Sequence, residues 1–383
     1  MTLRIGLFRA DANRLPLDKI MNLADKETKM LFPAEWEKHE ATWLGFPHNK
    51  TDFPGKIVPG YWAYGEIIRK LAMGEIVRIL VNDESHEKLV RRIVEKTGAN
   101  SANVEYFRFP TNRGWTRDFG PFFVKENDEI TIANFKFNAW AKYKDFEKDN
   151  QIPKLVANAL NIKITDAVFK NRHIVLEGGA IEVNGEGTLL TTEECLLDKK
   201  IQVRNPDFSR ADIEQVMRQF LGITNVIWLN KGIEGDDTHG HIDDFCRFVN
   251  KDTVVLCNES NSKDYNYAIM QENFERLQDA RLENGNKINV IRLPMPAPLY
   301  FEGRRLPASY ANFYISNAAV LVPTFNDEND CQAIRILAEI FTDRPVIGIH
   351  AVDLVWGLGT LHCLTQQQPT SLEGKSKKVK GKR

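Results

Sequence analysis

Four stretches of the chain alternate apolar and polar residues on either side of a short turn signal, which is the pattern of a β-hairpin. They are "FGPFFVKENDEITIANF" (119–135), "IVLEGGAIEVNGEGTLLTT" (174–192), "DFCRFVNKDTVVLCN" (244–258) and "ANFYISNAAVLVPTF" (311–325). The turns fall at Lys-Glu-Asn-Asp, Asn-Gly-Glu-Gly, Asn-Lys-Asp and Ser-Asn. We therefore expect four hairpins built from short strands.

Helical stretches and then short apolar stretches follow the hairpins. The predicted helices are "SRADIEQVMRQFLG" (209–222), with Ser209 as N-cap, "YAIMQENFERLQDA" (267–280) and "CQAIRILAEIF" (331–341). The predicted strands lie at 77–81, 104–110, 225–230, 288–294 and 345–351.

The hairpins recur at a spacing of about 60–67 residues, so the chain holds about five hairpin–helix–strand units. Such units bury their faces only against one another, and five of them closing around an axis would leave no long open sheet edge. The pattern predicts an α/β ring in which the polar segments meet near the axis.

The composition excludes several classes of protein. The 383 residues are 43% hydrophobic and 27% charged, which suits a globular chain with a large core. A net charge of −1 gives no basic field for nucleic acid, and no stretch is apolar enough to span a membrane. Arg4, Arg9 and Asp11 interrupt the apolar run that a signal peptide needs. Five scattered cysteines without a CxxC pair indicate a reducing, cytoplasmic location.

The C-terminal stretch "GKSKKVKGKR" carries six positive charges and no core-forming residues, so we expect residues 371–383 to form a disordered basic tail. The rest of the chain is correspondingly acidic. This mildly favours a small cationic substrate, although an acidic soluble surface explains it equally well.

Two polar segments break the apolar pattern in the first half of the chain. In "GWTRDFGPF" (114–122), Asp118 lies between an aromatic residue and a strand, and a partnership with Arg117 or a turn is the alternative to a functional role. In "HIVLEGGAIEV" (173–183), Glu177 interrupts a strand pattern, where a carboxylate is costly unless partnered. The following Gly178 and Gly179 permit a bulge or a close approach to a ligand.

The segment "GIEGDDTHGHIDDFCRF" (232–248) is the richest in ionisable groups. His241 and Asp243 have period-2 spacing, so we expect both on one side of a strand. A histidine beside a carboxylate suits acid–base catalysis near neutral pH, and a structural histidine is the alternative.

The segment "GLGTLHCLTQQQP" (357–369) contains the strongest candidate nucleophile. Gly357 and Gly359 permit unusual turns before Cys363, which could be an exposed nucleophile, whereas a lone cysteine is more often buried and inert. We expect the inert state for the other cysteines, which are Cys195, Cys246, Cys257 and Cys331.

A zinc site is a competing interpretation. "THGHID" resembles the T-H-x-H-x-D element of metallo-β-lactamase-type hydrolases, in which His239, His241 and Asp243 would bind zinc. Against it, that element usually continues with histidine where this chain has Asp244. The interpretation also leaves Asp118 and the glutamate at 177 unexplained.

Taken together, the segments resemble the agmatine deiminase branch of the guanidine-modifying superfamily. The matching pieces are "FPAEWEKHEATWLGFPHN", "WTRDFGP", "LEGGAIEVNG", "DDTHGHIDDFCRF", "LPASYANFYISN" and "GLGTLHCLTQQQP", which together span residues about 30–369. The resemblance implies a five-bladed α/β propeller of the pentein type, without a metal or an organic cofactor. It also implies one catalytic domain at 30–370, preceded by an extension at 1–29 that a start at Met30 would remove.

The resemblance also implies residue roles. Cys363 would attack the guanidinium carbon as a thiolate, and His241 would protonate the departing ammonia and later activate water. Asp118 and Asp243 would hold the guanidinium nitrogens, and Glu177 would orient the histidine or complete the anionic wall. Because these carboxylates would raise the thiol pKa in the empty enzyme, the cationic substrate could itself promote the thiolate.

The substrate remains open between agmatine and arginine compounds. Agmatine needs an anionic or aromatic patch at its amine, for which Asp236, Asp237 and Trp115 are candidates. Free arginine or peptidylarginine needs a cation for its carboxylate, for which Arg304, Arg305 and Lys142 are candidates. We favour agmatine, converted to N-carbamoylputrescine in polyamine metabolism. A non-catalytic propeller and a homo-oligomer both remain open.

Overall fold

The computed structural model describes residues 30–371, which form five blades arranged as the sequence pattern predicts. In each blade the first strand pairs antiparallel with the second, a helix follows, and the third strand pairs parallel with the second. The five-bladed α/β propeller is confirmed. The predicted extension at 1–29 and all of the basic tail except Ser371 lie outside the described residues.

The strands in the first half of the chain are β1 (Met30–Leu31), β2 (His39–Gly45), β3 (Ile76–Leu80), β4 (Val104–Phe107), β5 (Phe122–Glu126), β6 (Glu129–Asn134), β7 (Ile164–Asp166), β8 (Val168–Phe169), β9 (Arg172–His173), β10 (Glu182–Val183) and β11 (Thr188–Thr192). Those in the second half are β12 (Asn225–Leu229), β13 (Cys246–Asn250), β14 (Thr253–Asn258), β15 (Asn289–Pro294), β16 (Tyr300–Phe301), β17 (Arg304–Arg305), β18 (Tyr314–Ile315), β19 (Val320–Thr324), β20 (Val346–His350) and β21 (Thr365–Pro369).

The α-helices are α1 (Ile57–Leu71), α2 (Glu84–Thr97), α3 (Thr116–Phe119), α4 (Ile152–Leu160), α5 (Glu193–Leu197), α6 (Arg210–Leu221), α7 (Tyr265–Asp279), α8 (Asp330–Ile340), α9 (Val352–Val355) and α10 (Leu361–Leu364). No helix among these is both long enough and apolar enough to cross a membrane.

The ring closes where the two ends of the described chain meet in one blade. There β21 pairs antiparallel with β2, which pairs parallel with β3. The remaining blades are β5–β6–β7, β10–β11–β12, β13–β14–β15 and β18–β19–β20. Closure by the last strand removes an open edge from the first sheet, as expected for a ring of repeated units.

Local sequence explains the predicted elements. Asn127 and Asp128 both have positive φ, at 51° and 71°, which suits the two-residue turn between β5 and β6. The Ser209 side chain accepts a hydrogen bond from the backbone N–H of Asp212, and the Asp212 side chain accepts one from the Ser209 N–H. The predicted cap of α6 is therefore confirmed as a full capping box. The four hairpins, three helices and five strands predicted from the sequence are all present.

Five short segments precede the first strands of the blades and meet in a closed ring; we call them the axial segments. They are 116–119 (helix α3), 177–180, 241–244, 309–312 and 361–364 (helix α10). Consecutive segments contact one another from α10 through α3 to 241–244. Asn312 closes the ring by donating hydrogen bonds to Asp244 Oδ1 (3.0 Å) and to Cys363 Sγ (3.1 Å). The fold therefore delivers one chain segment from each blade to a common centre.

Two sequence predictions about these segments are wrong in detail. His241 and Asp243 do not share a strand, because residues 242–244 form a 3₁₀ turn and β13 begins only at Cys246. Glu177 does not interrupt a strand either, because the 3₁₀ turn Gly178–Ala180 follows it and β10 starts at Glu182. The polar residues lie on turns before the strands, where they can face the axis without disrupting a ladder.

Candidate active site

A cavity of about 590 Å³ opens at the axial segments. Five of the residues predicted for catalysis or agmatine binding line it, namely Trp115, Asp118, Asp237, Gly357 and Cys363. Concave sites of this size that combine aromatic walls with a few charged groups are typical of small-molecule enzymes. The cavity therefore joins predicted residues from three parts of the sequence that lie far apart along the chain.

Cys363 lies on the short helix α10 and is 8% exposed, with its sulfur facing the cavity. Asn312 Nδ2 donates a hydrogen bond to Sγ at 3.1 Å, while Asn312 Oδ1 accepts from the backbone N–H groups of His362 (3.1 Å) and Cys363 (3.4 Å). One asparagine thus holds the backbone of the cysteine and offers a donor to its sulfur. An amide N–H directed at sulfur favours the thiolate over the thiol.

The glycines before Cys363 make room for an aromatic ring. A Cβ on Gly357 would lie 2.9 Å from Trp115 Cζ2, and one on Gly359 would lie 2.8 Å from Trp115 Cζ3 and 3.2 Å from the cysteine sulfur. The left-handed residue of this segment is Leu358 (φ 72°), not either glycine. The glycines therefore permit the close approach of Trp115 rather than the turn itself.

Asp118 is buried at the cavity wall, and each of its carboxylate oxygens accepts one hydrogen bond. Its Oδ1 accepts from the Gly179 N–H at 3.0 Å, and its Oδ2 accepts from Trp140 Nε1 at 2.9 Å. Burial, followed by the neighbouring Asp243 and Glu177 carboxylates, raises the pKa of Asp118 to about 6. The alternative partnership of Asp118 with Arg117 is excluded, because Arg117 Nη2 bonds Glu35 Oε2 at 3.0 Å instead.

Three consecutive left-handed residues place the Trp140 ring on Asp118. Ala139, Trp140 and Ala141 have φ values of 51°, 58° and 52°. Non-glycine residues in this region are strained, and such strain persists where the surrounding structure requires it. Here the strained turn aims the indole N–H at the carboxylate that faces the cavity.

Two carboxylates lie near the Nδ1 atom of His241. Nδ1 is 3.8 Å from Asp118 Oδ1 and 4.0 Å from Asp243 Oδ1. Nε2 is 3.5 Å from Glu177 Oε2, and the Cys195 sulfur belongs to the same group of polar atoms. Burial opposes the imidazolium, but Asp118 together with Glu177 raises the pKa of His241 well above its ordinary value. The ring is therefore protonated at neutral pH.

Glu177 is fully buried and is held by Arg204. The Arg204 Nε lies 3.2 Å from each Glu177 carboxylate oxygen. Burial alone would favour the neutral acid, but Arg204 and His241 hold the pKa of Glu177 below its ordinary value. This geometry fits the predicted orienting role of Glu177 beside the histidine.

Gly179 is the residue that allows the charged groups to converge. A Cβ at this position would lie 2.5 Å from His241 Nδ1, 2.9 Å from Asp118 Oδ1 and 3.1 Å from Asp243 Oδ1. No side chain fits at the meeting point of these three groups. Gly179 therefore permits the close approach of three side chains, while the approach of a ligand to the glycine pair stays a prediction.

Asp243 completes the group next to the nucleophile. Its Oδ2 lies 3.8 Å from Cys363 Sγ and 2.6 Å from His362 Nδ1, while its Oδ1 has no hydrogen-bond partner among residues 30–371. Burial, followed by Asp243 and Asp244, raises the pKa of the Cys363 thiol well above its ordinary value. The direction of this shift agrees with the effect expected from the surrounding carboxylates and favours the thiol over the thiolate.

The atoms predicted for a zinc site do not converge. His239 Nε2 lies 3.0 Å from Asp198 Oδ2, and His239 belongs to no group of potential metal ligands in the described part of the chain. His241 and Asp243 instead fall into two separate groups, one with Glu177 and Cys195 and the other with Asp244 and Cys363. The T-H-x-H-x-D interpretation of "THGHID" is therefore not supported by the geometry.

The cavity mouth contains the candidates for substrate discrimination. Asp237 accepts from Lys142 Nζ (2.6 Å), Tyr143 Oη (2.7 Å) and Arg304, so its charge is already balanced. Asp236 instead binds the backbone N–H groups of residues 238, 240 and 241 and does not line this cavity. Arg305 pairs with Asp264 outside the cavity.

Sequence reasoning missed several residues of the site, namely Glu35, Trp140, Arg204, Asn312 and His362 as a partner of Asp243. The segment "LPASYANFY" precedes β18 just as the other polar segments precede their strands. Five blades should supply five axial segments, so the repeat itself was the signal that could have identified Asn312. Nothing local in the sequence distinguishes Arg204 or Trp140.

Comparison with known proteins agrees with this geometry. The agmatine deiminase of C. jejuni, solved with substrate bound, superposes with a TM-score of 0.80 at 30% identity over 92% of this chain and 99% of that chain. The agmatine deiminase of Enterococcus faecalis gives a TM-score of 0.81 at 28% identity over 90% of this chain and 97% of that one. The fold is therefore that of the pentein enzymes.

The sequence comparisons then define the family. Residues 31–369 match the Porphyromonas-type peptidyl-arginine deiminase family, and the chain belongs to that family. The agmatine deiminase of Stutzerimonas stutzeri is 33% identical over 361 residues, covering 88% of this chain and 95% of that protein. The predicted resemblance is confirmed.

Proposed function

We propose that this protein is an agmatine deiminase, which hydrolyses the guanidinium group of agmatine to N-carbamoylputrescine and ammonia. The observation that carries the proposal is the convergence of four side chains, those of Cys363 and Asp118 at the cavity wall and those of His241 and Asp243 buried beside them. A thiol beside two carboxylates and a protonated imidazole can bind, attack and protonate a planar cation. Relatives named as agmatine deiminases support the same reaction.

Binding places the guanidinium between the Asp118 and Asp243 carboxylates, which accept hydrogen bonds from its nitrogens. The positive charge of the substrate then stabilises the thiolate of Cys363, and the thiol proton leaves to solvent. The thiolate attacks the guanidinium carbon to give a tetrahedral adduct. His241, held as imidazolium, donates its proton to the departing nitrogen, and ammonia leaves.

The second half of the reaction reuses the same groups. His241, now neutral, takes a proton from a water molecule as that water attacks the carbon of the amidino-thioether. Collapse of the second tetrahedral adduct breaks the carbon–sulfur bond and releases the ureido product. Glu177, which lies 3.5 Å from His241 Nε2, keeps the ring oriented in both steps.

Agmatine is favoured over arginine by the charges at the cavity. Five carboxylates line it, those of Asp52, Asp118, Asp145, Asp237 and Glu302, against two cations. Arg113 is bound by Asp52 and Asp145, and Arg304 by Asp237. A substrate with a second positive charge therefore meets a more favourable field than one with a carboxylate.

A peptidylarginine or free-arginine deiminase is the second candidate, because Arg304 is 49% exposed at the mouth and the family description names peptidyl-arginine. The purified protein should be assayed for ammonia and ureido product with agmatine, arginine and a peptide ending in arginine, each with and without a chelator. Chelator-resistant turnover of agmatine that Cys363→Ala abolishes would support the proposal. Turnover of the peptide alone would favour the second candidate function over agmatine deimination. If folded protein turns over none of the three guanidines, both candidate functions are refuted.

A further inference from the structure

His362, the residue before the nucleophile, is buried at 2% exposure and does not line the cavity. Both of its ring nitrogens face carboxylates. Nδ1 lies 2.6 Å from Asp243 Oδ2, and Nε2 lies 2.8 Å from Glu35 Oε2. The ring thus connects a residue of the site to a carboxylate contributed by the start of the described chain.

Glu35 is held as an anion by several donors. Arg117 Nη2 bonds its Oε2 at 3.0 Å, while Arg247 Nη2 (2.9 Å) and the Ile315 N–H (2.8 Å) bond its Oε1. Burial favours the neutral acid, but Arg247 and His362 hold the pKa of Glu35 well below its ordinary value. A carboxylate that only accepts hydrogen bonds requires a proton on the His362 nitrogen that faces it.

The other ring nitrogen of His362 faces Asp243. His362 is the group that holds the pKa of Asp243 below its ordinary value, despite complete burial of the carboxylate. Asp243 Oδ2 also lies at hydrogen-bond distance from Nδ1, at 2.6 Å. The His362 ring is therefore buried between two carboxylates, with one hydrogen bond to each.

We propose that His362 is a positioning residue, which keeps Asp243 ionised and turns its free oxygen towards the bound guanidinium. The inference rests on the proposed function, because it concerns how that substrate is held. Asp243 Oδ2 is occupied by His362, so the oxygen left for a substrate is Oδ1, which is buried, lies 4.0 Å from His241 Nδ1 and lacks a hydrogen-bond partner among residues 30–371. Glu35 fixes the far side of the ring.

Charged groups lie on both sides of His362. On the side of the cavity, Asp118, Asp243 and Asp244 lie near one another in a buried space, with His241 beside the first two. On the far side, Glu35 and Glu182 are balanced by Arg117 and Arg247. Without the His362 ring, His241, whose Nδ1 lies 4.0 Å from Asp243 Oδ1, would be the nearest remaining group of opposite charge, and Arg247 would be the next. Asp243 would then take up a proton more readily, and a protonated carboxyl group no longer attracts the cationic substrate.

The test replaces His362 by asparagine, whose amide can still donate to Asp243 but carries no charge. We expect kcat/KM for agmatine to fall by about 10- to 100-fold, mainly through KM, as when a charge-assisted hydrogen bond is lost. We also expect the acid limb of the kcat/KM profile to move to higher pH, because Asp243 then binds a proton more readily. A residue that only fills space would not move this limb.

His239→Asn is the matched control, because His239 also lies beside two carboxylates, Asp198 and Glu194, but does not contact Asp243. It should leave KM and the pH profile unchanged. If His362→Asn does not fold, His362→Gln replaces it. A folded variant with the wild-type KM and pH profile would overturn the inference.

A binding measurement distinguishes a failure of this inference from a failure of the proposed function. Agmatine should bind the inactive Cys363→Ala protein, as measured by calorimetry, and bind the double variant with His362→Asn about 10- to 100-fold more weakly. Equal binding by the single and double variants would refute the role of His362 alone. Failure of agmatine to bind the single variant, together with no turnover by the wild type, would instead refute the proposed function.

Discussion

Asn312 Nδ2 lies 3.1 Å from Cys363 Sγ, and the Asn312 Oδ1 accepts hydrogen bonds from the backbone of the same helix. The side chain therefore fixes the position of the sulfur and supplies a donor to it at the same time. Its second Nδ2 contact, to Asp244 Oδ1 at 3.0 Å, keeps the amide in this orientation.

Replacing Asn312 should weaken the nucleophile without removing it. We expect Asn312→Asp to lower kcat by about 100-fold or more, because the donor to the thiolate is lost and a carboxylate faces the sulfur instead. Steady-state kinetics and the rate of Cys363 alkylation at fixed pH measure the effect. Asn312→Asp keeps the acceptor for the backbone N–H groups, so α10 should remain in place. An unchanged alkylation rate in folded protein would contradict this role.

The ionisation of Cys363 should depend on the substrate. The pKa of the free thiol is raised well above its ordinary value by burial and by Asp243, so the empty enzyme should show little thiolate at pH 8 or below. Because a bound guanidinium opposes the carboxylates, an unreactive alkylguanidine should lower this pKa. Thiolate absorbance, taken as the difference between wild type and Cys363→Ala, follows the titration. Equal titration curves with and without the ligand would exclude substrate-assisted ionisation.

How much of this site could be predicted from sequence depends on the residue. His241 and Asp118 stand in segments whose charged groups conflict with the surrounding apolar pattern, so the conflict itself marks them. Cys363 is marked instead by the glycines that precede it. Asn312 lies in a segment with no such conflict, and Trp140 reaches Asp118 through a strained turn. The expectation of a fifth axial segment is the one signal for Asn312, and Trp140 becomes visible only when the backbone path is known.

The fold was more predictable than the geometry of the site for a related reason. Hairpin turns such as Asn127-Asp128 and the cap at Ser209 are encoded locally, so strand and helix positions follow from short windows. The direction of Asp243 is not local, because His362 sets it from 119 residues further along the chain. Pairing across blades is a property of the closed ring, which no window of the sequence contains.

Gly179→Ala should abolish most of the activity while leaving the fold intact. The new methyl group would lie 2.5 Å from His241 Nδ1, so the imidazole must move. Displacement of a catalytic group by about 1 Å commonly costs on the order of 100-fold in rate, and we expect a loss in kcat of at least that size.

Gly60→Ala is the control for Gly179→Ala. Gly60 is also buried, but a Cβ there meets no atom within 4 Å, and α1 accepts alanine readily. This variant should be as active as wild type and at least as stable in thermal unfolding. Wild-type kcat in a folded Gly179→Ala protein would show that His241, Asp118 and Asp243 do not need their observed positions for catalysis.

The pH dependence of kcat/KM should follow the ionisation of Asp118. Its pKa is raised from 3.8 to about 6 by burial and by neighbouring carboxylates, and only the ionised form binds a guanidinium. At a pH below about 6 the free enzyme carries a protonated Asp118, so kcat/KM should fall as the pH decreases through this value. A profile for agmatine that stays flat down to pH 5 would contradict the assignment.

Glu302 is the carboxylate at the cavity mouth that forms no ion pair with any residue in the range 30–371, whereas Asp52, Asp145 and Asp237 are paired. It lies at the turn between β16 and β17, and we expect it to attract the distal amine of agmatine. Glu302→Gln should raise KM for agmatine by about two- to fivefold, the size of an exposed charge pair, and leave kcat unchanged.

Butylguanidine, which lacks the distal amine, separates amine recognition from a general effect of the substitution. The KM for butylguanidine should be the same for wild type and Glu302→Gln, because this substrate has no amine for the Glu302 carboxylate to attract. Glu328→Gln, an exposed glutamate that does not line the cavity, should change neither KM. If Glu302→Gln raises KM for both guanidines equally, Glu302 affects the form of the cavity mouth but does not bind the amine. Discrimination between substrates must then come from the aromatic wall that includes Trp115.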